Sequence, residues 1–218
     1  ITGWSEDEAR GRTPEIVNLG SGGGWNEIRH ALEARGHWSG ELQPLRRDGK
    51  SFPAWVSIST VHDPASGVLT HYCFVFSDIT ERKEAEARIY RLAYFDSLTN
   101  LPNRTLLYSL LEQSIAEARR RHGHGALLFV DINRFKHIND SFGHASADLL
   151  LCEIANRLRT RLRKEDIVSR LGSDEFVITL FDIRRRDDAA VVARKLLASL
   201  AEPYQVESHE ILLSASIG

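Results

Sequence analysis

The stretch VSRLGSDEFVITLF, residues 168–181, decides how this chain is read. Two apolar, β-branched runs, VSRL and FVITLF, flank the short polar sequence Gly172-Ser173-Asp174-Glu175. Runs of this kind around a glycine-containing turn predict a β-hairpin, with Asp174 and Glu175 at its tip. Taken alone, an acidic turn is usually a solvated loop. It becomes a site only if other carboxylates or phosphate-binding groups reach it.

The segments upstream and downstream supply such groups. ALLFVDI (126–132) reads as a buried strand closing on Asp131. If it neighbours the hairpin, the Asp131 and Asp174 carboxylates converge. Mg²⁺ takes hard oxygen ligands, often one or two protein carboxylates, and substrate phosphates fill the rest. Gly172 leaves room for a nucleotide to approach the backbone. Asn103 can cap a helix carrying Leu106, Leu107, Leu110, Leu111 and Ile115. Leu149, Leu150, Ile154, Leu158 and Leu162 fall on one helical face. A further helix is expected over 187–200 and a strand at ILLSASI (211–217). Strands and helices interleaved around hairpins predict an α/β or α+β sandwich.

Residues 80–95, TERKEAEARIYRLAYF, are dense in charge and free of Gly and Pro. Ala85, Ile89 and Leu92 form one apolar seam, as on a connecting helix that pairs with its copy in a second subunit. The alternative is a single amphipathic helix lying on its own domain. Before it, residues 40–77 read as hairpin-connected strands, with Asp48-Gly49 as a two-residue turn and Phe52, Trp55 and Val56 in the return strand. Trp38, Phe52 and Trp55 are expected in the core. Residues 5–36 read as helix and loop, broken at Gly20–Gly24.

Of the 218 residues, 42% are hydrophobic and 27% charged, with a net charge of −2. A packed core is expected, and no basic excess points to nucleic acid. Cys73 and Cys152 sit in the apolar stretches YCFVF and LLLCEIA. Both are read as small buried hydrophobes, not a disulfide, which suits a reducing, cytoplasmic setting. No apolar run approaches a membrane span. His122 and His124 read as a polar loop, and His62 and His71 give no metal or haem pattern.

FDSLTNLPNR (95–104), VDINRFKHINDSFGHASADLLL (130–151) and RLGSDEFVI (170–178) together resemble the successive motifs of GGDEF domains, in the family's order and spacing. The resemblance covers about 90 to 218. It implies a cyclase-like βαββαβ sandwich that condenses two GTP into cyclic di-GMP and releases pyrophosphate. It also implies Asp131 and Asp174 as ligands of Mg²⁺ or Mn²⁺, assisted by the Ile132 carbonyl, and Glu175 beside the metal and the reacting 3′-hydroxyl. Asn139 and Asp148 would hydrogen-bond guanine. The loop Asn133–Lys136, including Phe135 and Lys136, would hold phosphates through backbone N–H groups. Because the product joins two GTP, a homodimer is implied.

Two positions depart from the family. Ser173 replaces its second glycine, and the expectation is a side chain that hinders the nucleotide, so that Ser173→Gly speeds turnover. Asn133 replaces a common Asp. Arg163-Lys164-Glu165-Asp166 stands where the family's RxxD product-inhibition site falls, so Arg163 and Asp166, with Arg194 as a secondary contact, are assigned to cyclic di-GMP.

ITGWSEDEARGR (1–12), GHWSGELQPLRRDGKSFPAWVSIS (36–59) and FSDITERK (76–83) resemble the later part of a PAS sensor domain. The expected organisation is a PAS domain over 1–80, a connecting helix over 81–95 and a GGDEF domain over 96–218. Both domains are expected to be incomplete at the chain ends. The PAS ligand is not readable. The alternative function is an inactive GGDEF module that binds GTP or cyclic di-GMP and regulates an attached EAL-type phosphodiesterase.

Overall fold

The computed structural model describes residues 1–12, 24–121, 123–183 and 185–218. The expected break at Gly20–Gly24 therefore lies mostly outside the described residues, as does His122. Two compact units form, Ile1–Arg88 and Ile89–Gly218. The division falls inside the expected connecting helix.

In the first unit a short helix, α1 (Glu6–Ala9), starts at Ser5, whose side chain and that of Glu8 bond each other's backbone N–H. Helix α2 (Gly24–Arg35) follows, then strands β1 (His37–Leu42), β2 (Ala54–His62) and β3 (Leu69–Asp78) in an antiparallel sheet of that order. Alternation along β2 sends Ala54, Val56 and Ile58 inward against Ile28 and Leu32 of α2 and against Phe52. Trp55 therefore faces outward and is 45% exposed, which corrects its expected place in the core. The strand period of two leaves no alternative once Val56 is inward. Cys73 is opposite Ser59 on the same outer face and is exposed, not buried.

The Asp48-Gly49 turn forms, with Gly49 in the left-handed region at φ 79° and its N–H bonded to the Arg46 carbonyl. It closes a wider loop than the two-residue hairpin expected. Beyond an isolated Leu45–Ser51 bridge, the ladder resumes only at Leu42–Ala54. Pro44 and Pro53 contribute no N–H to the intervening rungs. Phe52 accordingly precedes the return strand.

Asp78 ends β3 and accepts the hydroxyl and the N–H of Thr80, the first residue of helix α3 (Thr80–Tyr94). These bonds and Arg46 hold its carboxyl down at about 2. No residue of α3 is buried.

The second unit contains helix α4 (Arg104–Arg121), β4 (Ala126–Ile132), α5 (Phe135–Thr160), β5 (Ile167–Arg170), β6 (Glu175–Leu180), α6 (Arg186–Leu200), a small hairpin of β7 (Tyr204–Val206) and β8 (His209–Ile211), and β9 (Ala215–Ile217). The main sheet has the order β5-β6-β4-β9 with every neighbour antiparallel. Thus α5 connects β4 to β5 across β6, and α6 leads from β6 towards β9 across β4. This is the implied βαββαβ core.

Leu128, Val130 and Ile132 of β4 and Phe176, Ile178 and Leu180 of β6 face Leu150, Ile154 and Leu158 of α5 and Leu196 and Leu200 of α6. Each such side chain contributes about 1.5–3 kcal/mol on burial. On the other face of β4, Leu127 and Phe129 are exposed, so this strand is half-buried, not buried on both faces. Arg157 of α5 donates to the carbonyls of Ser199, Glu202 and Pro203 and stacks on Tyr204, tying α5 to the end of α6.

Two further expectations change. Gly143 interrupts α5 with φ 79° and ψ 165°. Beyond it the helical period turns Ala147, Leu150, Leu151, Ile154 and Leu158 inward and leaves Leu149 exposed. ILLSASI is not one strand. Ile211 ends β8, Ala215–Ile217 forms β9, and Leu213 between them turns into the core.

Candidate functional site

The β4–β6 register sets Asp131 directly opposite Glu175. The Ile132 N–H donates to the Asp174 carbonyl at 3.3 Å, so Asp174 is the next residue along the same edge. Asp131 and Glu175 thus stand opposite one another where β4 ends and β6 begins, with Asp174 next in the chain. Asp131 and Glu175 are exposed and Asp174 is half-buried. Gly172 has a further effect here that the sequence did not reveal. A Cβ at Gly172 would lie 3.1 Å from Glu175 Oε2, so its absence lets the Glu175 side chain fold back over the turn.

Among the described residues, no cluster of three or more His, Cys, Asp or Glu could hold a metal. A cation at Asp131 and Asp174 would take its remaining oxygens from a backbone carbonyl such as Ile132, from water or from a substrate. That donor set fits Mg²⁺, which binds few protein carboxylates and completes its shell with phosphate and water.

Next to this edge, α5 begins at Arg134, which is left-handed (φ 58°) and makes no side-chain cap. The first-turn N–H groups of Phe135 and Lys136 are therefore available to an anion. The Phe135 side chain is in the core, and Lys136 is exposed. Asn133 leaves the expected phosphate set, because its N–H bonds the Ser214 carbonyl at 2.9 Å. Its amide also pairs with the hydroxyls of Ser214 and Ser216. The Asn that replaces the common Asp thus fastens β9 to the site. Asn139 and Asp148 lie on either side of the Gly143 kink, half-buried and exposed respectively. Among the described residues neither side chain makes a hydrogen bond.

One contact of the site was missed from sequence. Asp96, in FDSLTNLPNR, accepts from Arg170 Nη1 at 2.9 Å, and Arg170 Nη2 donates to the Ser173 carbonyl at 2.7 Å. Arg170 is buried. Burial pushes the Asp96 carboxyl up, but hydrogen bonds from Thr99 and the Arg170 guanidinium outweigh it and hold the group below its ordinary value. A cavity of about 350 Å³, lined by Asp96, Asn103, Arg104, Arg170, Gly172 and Ser173, opens beside the turn. Ser173 is exposed, and its φ is not in the left-handed region. The backbone therefore has no need of glycine there. Its hydroxyl donates to Asp174 Oδ1 at 2.6 Å.

Arg163 and Asp166 are at the opposite end of the β5–β6 hairpin, preceding β5. One Asp166 oxygen accepts the Arg163 N–H and the other the Phe181 N–H, so this carboxylate closes the local turn. The Arg163 side chain is exposed. Arg194 is exposed on α6, and among the described residues no hydrogen bond or ion pair joins it to Arg163 or Asp166.

The family described as "Diguanylate cyclase, GGDEF domain" matches residues 93–218. The chain belongs to the GGDEF family. It is 46% identical over 139 residues to the "Bifunctional diguanylate cyclase/cyclic di-GMP phosphodiesterase MucR" of Pseudomonas aeruginosa, a match covering 64% of this chain and 20% of that protein. It is 30% identical over 224 residues to the "Probable diguanylate cyclase DgcE" of Escherichia coli, covering 100% of this chain and 20% of that protein. The chain thus spans about a fifth of the length of either relative. The structure of an N-terminally truncated TpbB from Pseudomonas aeruginosa, comprising only the GGDEF domain, superposes with a TM-score of 0.56 at 39% identity, covering 57% of this chain and 73% of that one. The mixed α/β architecture of the second unit is therefore the GGDEF cyclase fold. Among the described residues no helix is long and apolar enough to cross a membrane.

Proposed function

We propose that the GGDEF unit is a diguanylate cyclase that condenses two GTP into cyclic di-GMP and releases two pyrophosphates. The observation that carries this reading is the register that sets Asp131 opposite Glu175 with Asp174 adjacent. A divalent cation, Mg²⁺ or Mn²⁺, would neutralise phosphate charge and lower the pKa of the attacking hydroxyl.

Asp131 and Asp174 would hold that cation with the Ile132 carbonyl. The Phe135 and Lys136 N–H groups would bind phosphate oxygens at the start of α5. Asn139 offers a donor and an acceptor to guanine, and Asp148 accepts from guanine N–H groups. Glu175 would lie beside the 3′-hydroxyl of one GTP, whose proton leaves as the oxygen attacks the α-phosphorus of the other. Two new phosphodiester bonds and two broken phosphoanhydride bonds balance the reaction. The two nucleotides belong to two copies of the unit, so the active form is a homodimer. Arg163, with Asp166 shaping its turn, would bind the product as an inhibitor, and Arg194 would add an outer contact. Residues 1–80 would be a PAS sensor of unidentified ligand, joined through the connecting helix over 81–95 to the GGDEF domain over 96–218.

A second reading is a regulatory GGDEF module attached to a phosphodiesterase. It is favoured by the similarity to MucR, a protein named as bifunctional. Substitution of the acidic edge tests between them. With GTP and Mg²⁺, Asp131→Ala and Asp174→Ala should each abolish cyclic di-GMP formation while leaving the fold intact, since exposed site carboxylates seldom carry stability. Normal turnover in both variants would reject the metal-ligand assignment. Absence of product from the unaltered protein, with GTP still bound, would favour the regulatory module.

A further inference from the structure

The Ser173 hydroxyl donates to Asp174 Oδ1 at 2.6 Å. The same residue is anchored from behind. Its carbonyl accepts from Arg170 Nη2 at 2.7 Å, and Arg170 is itself held by Asp96 at 2.9 Å. Ser173 is therefore held through its backbone by the buried Arg170–Asp96 pair while its side chain reaches the Asp174 carboxylate. An O–H···O⁻ bond of this length is charge-assisted and about twice as strong as a neutral one. It engages one carboxylate oxygen and leaves Oδ2 to another ligand. Glycine, the family residue at this position, has no group with which to make it.

We propose that Ser173 is a positioning residue for divalent-cation binding: its hydroxyl fixes the orientation of the Asp174 carboxylate and keeps Oδ2 directed to the cation. The proposal rests on the reading of Asp174 as a metal ligand. Carboxylates that bind metals are typically held by such outer hydrogen bonds, and losing one costs about 10–100-fold in metal affinity or activity. The direction is opposite to that of a crowding side chain. If Ser173 only obstructed the site, glycine would be best, with serine and alanine alike. If its hydroxyl orients Asp174, serine is best, with alanine and glycine alike.

The test uses Mn²⁺ as the probe, followed by electron paramagnetic resonance of the free ion. Purified protein is titrated in the presence of an α,β-methylene analogue of GTP, so that no turnover enters the reading. Ser173→Ala and Ser173→Gly should each weaken Mn²⁺ binding about tenfold or more. Ser173→Thr, which keeps the hydroxyl, should remain within about threefold of the unaltered protein. Asp174→Ala should lose the site. Unchanged or tighter Mn²⁺ binding in Ser173→Ala, with the site lost in Asp174→Ala, would overturn this inference and leave the metal assignment standing. Unchanged binding in Asp174→Ala would overturn both.

Discussion

Asp166 and Arg163 show how one short motif divides its work between residues. Both oxygens of Asp166 are used within the fold, on the Arg163 and Phe181 N–H groups. The Arg163 guanidinium is exposed and open to a ligand. Six residues separate Asp166 from Gly172, roughly 20 Å at the rise of an extended chain. Product bound at Arg163 would therefore inhibit without occupying the acidic edge. Arg163→Ala should weaken cyclic di-GMP binding by roughly tenfold or more, the expected cost of a lost bidentate charge-assisted contact. The initial rate should change little. Calorimetry on both forms checks this, and equal affinities would remove the inhibitory-site assignment. Asp166→Ala is the less informative variant, because it also opens the turn. Single residues were legible in the sequence where strand periodicity and a turn brought them together, as for Asp131, Asp174 and Glu175. Asp96 and Arg170 were not, because their contact joins positions 74 residues apart and no local pattern reports such a distance.

Among the elements, α3 carries the question of assembly. Its start is set by Asp78 and Thr80. Its apolar positions Ile89 and Leu92 are 66% and 67% exposed, and Ala85 is exposed with them. An apolar seam on a helix with no fully buried residue motivates the proposal that it pairs with a second copy. Replacing Ile89 and Leu92 with Glu should lower cyclase activity at dilute protein and restore part of it at high concentration. A rate independent of concentration, in protein shown by ultracentrifugation to be monomeric, would contradict that role. Element type was well legible: the hairpin over 168–181, the α4 cap at Asn103 and the helix over 187–200 all form, with Asn103 Oδ1 accepting the Leu106 N–H. Phase and continuity were less so. Along α5, Leu151 and not Leu149 shares the buried face with Leu150, Ile154 and Leu158, as the helical period requires. Pro44 and Pro53 widen the first hairpin, and ILLSASI divides around Leu213, because core packing overrode a uniform apolar run.

At the scale of the molecule, the chain joins a three-stranded antiparallel unit to a GGDEF unit. Alternating apolar runs carried the interleaved sandwich, the resemblance to GGDEF domains implied its βαββαβ order, and the acidic edge follows from the register of two of its strands. The central claim is that this edge performs a condensation that consumes two nucleotides per product. The direct measurement is the stoichiometry of the reaction of purified protein with GTP and Mg²⁺, with cyclic di-GMP quantified by mass spectrometry and pyrophosphate by a coupled assay. The account predicts two pyrophosphates for each cyclic di-GMP, with neither product formed when Mg²⁺ is withheld. GTP bound without either product, or pyrophosphate released without cyclic di-GMP, would contradict it.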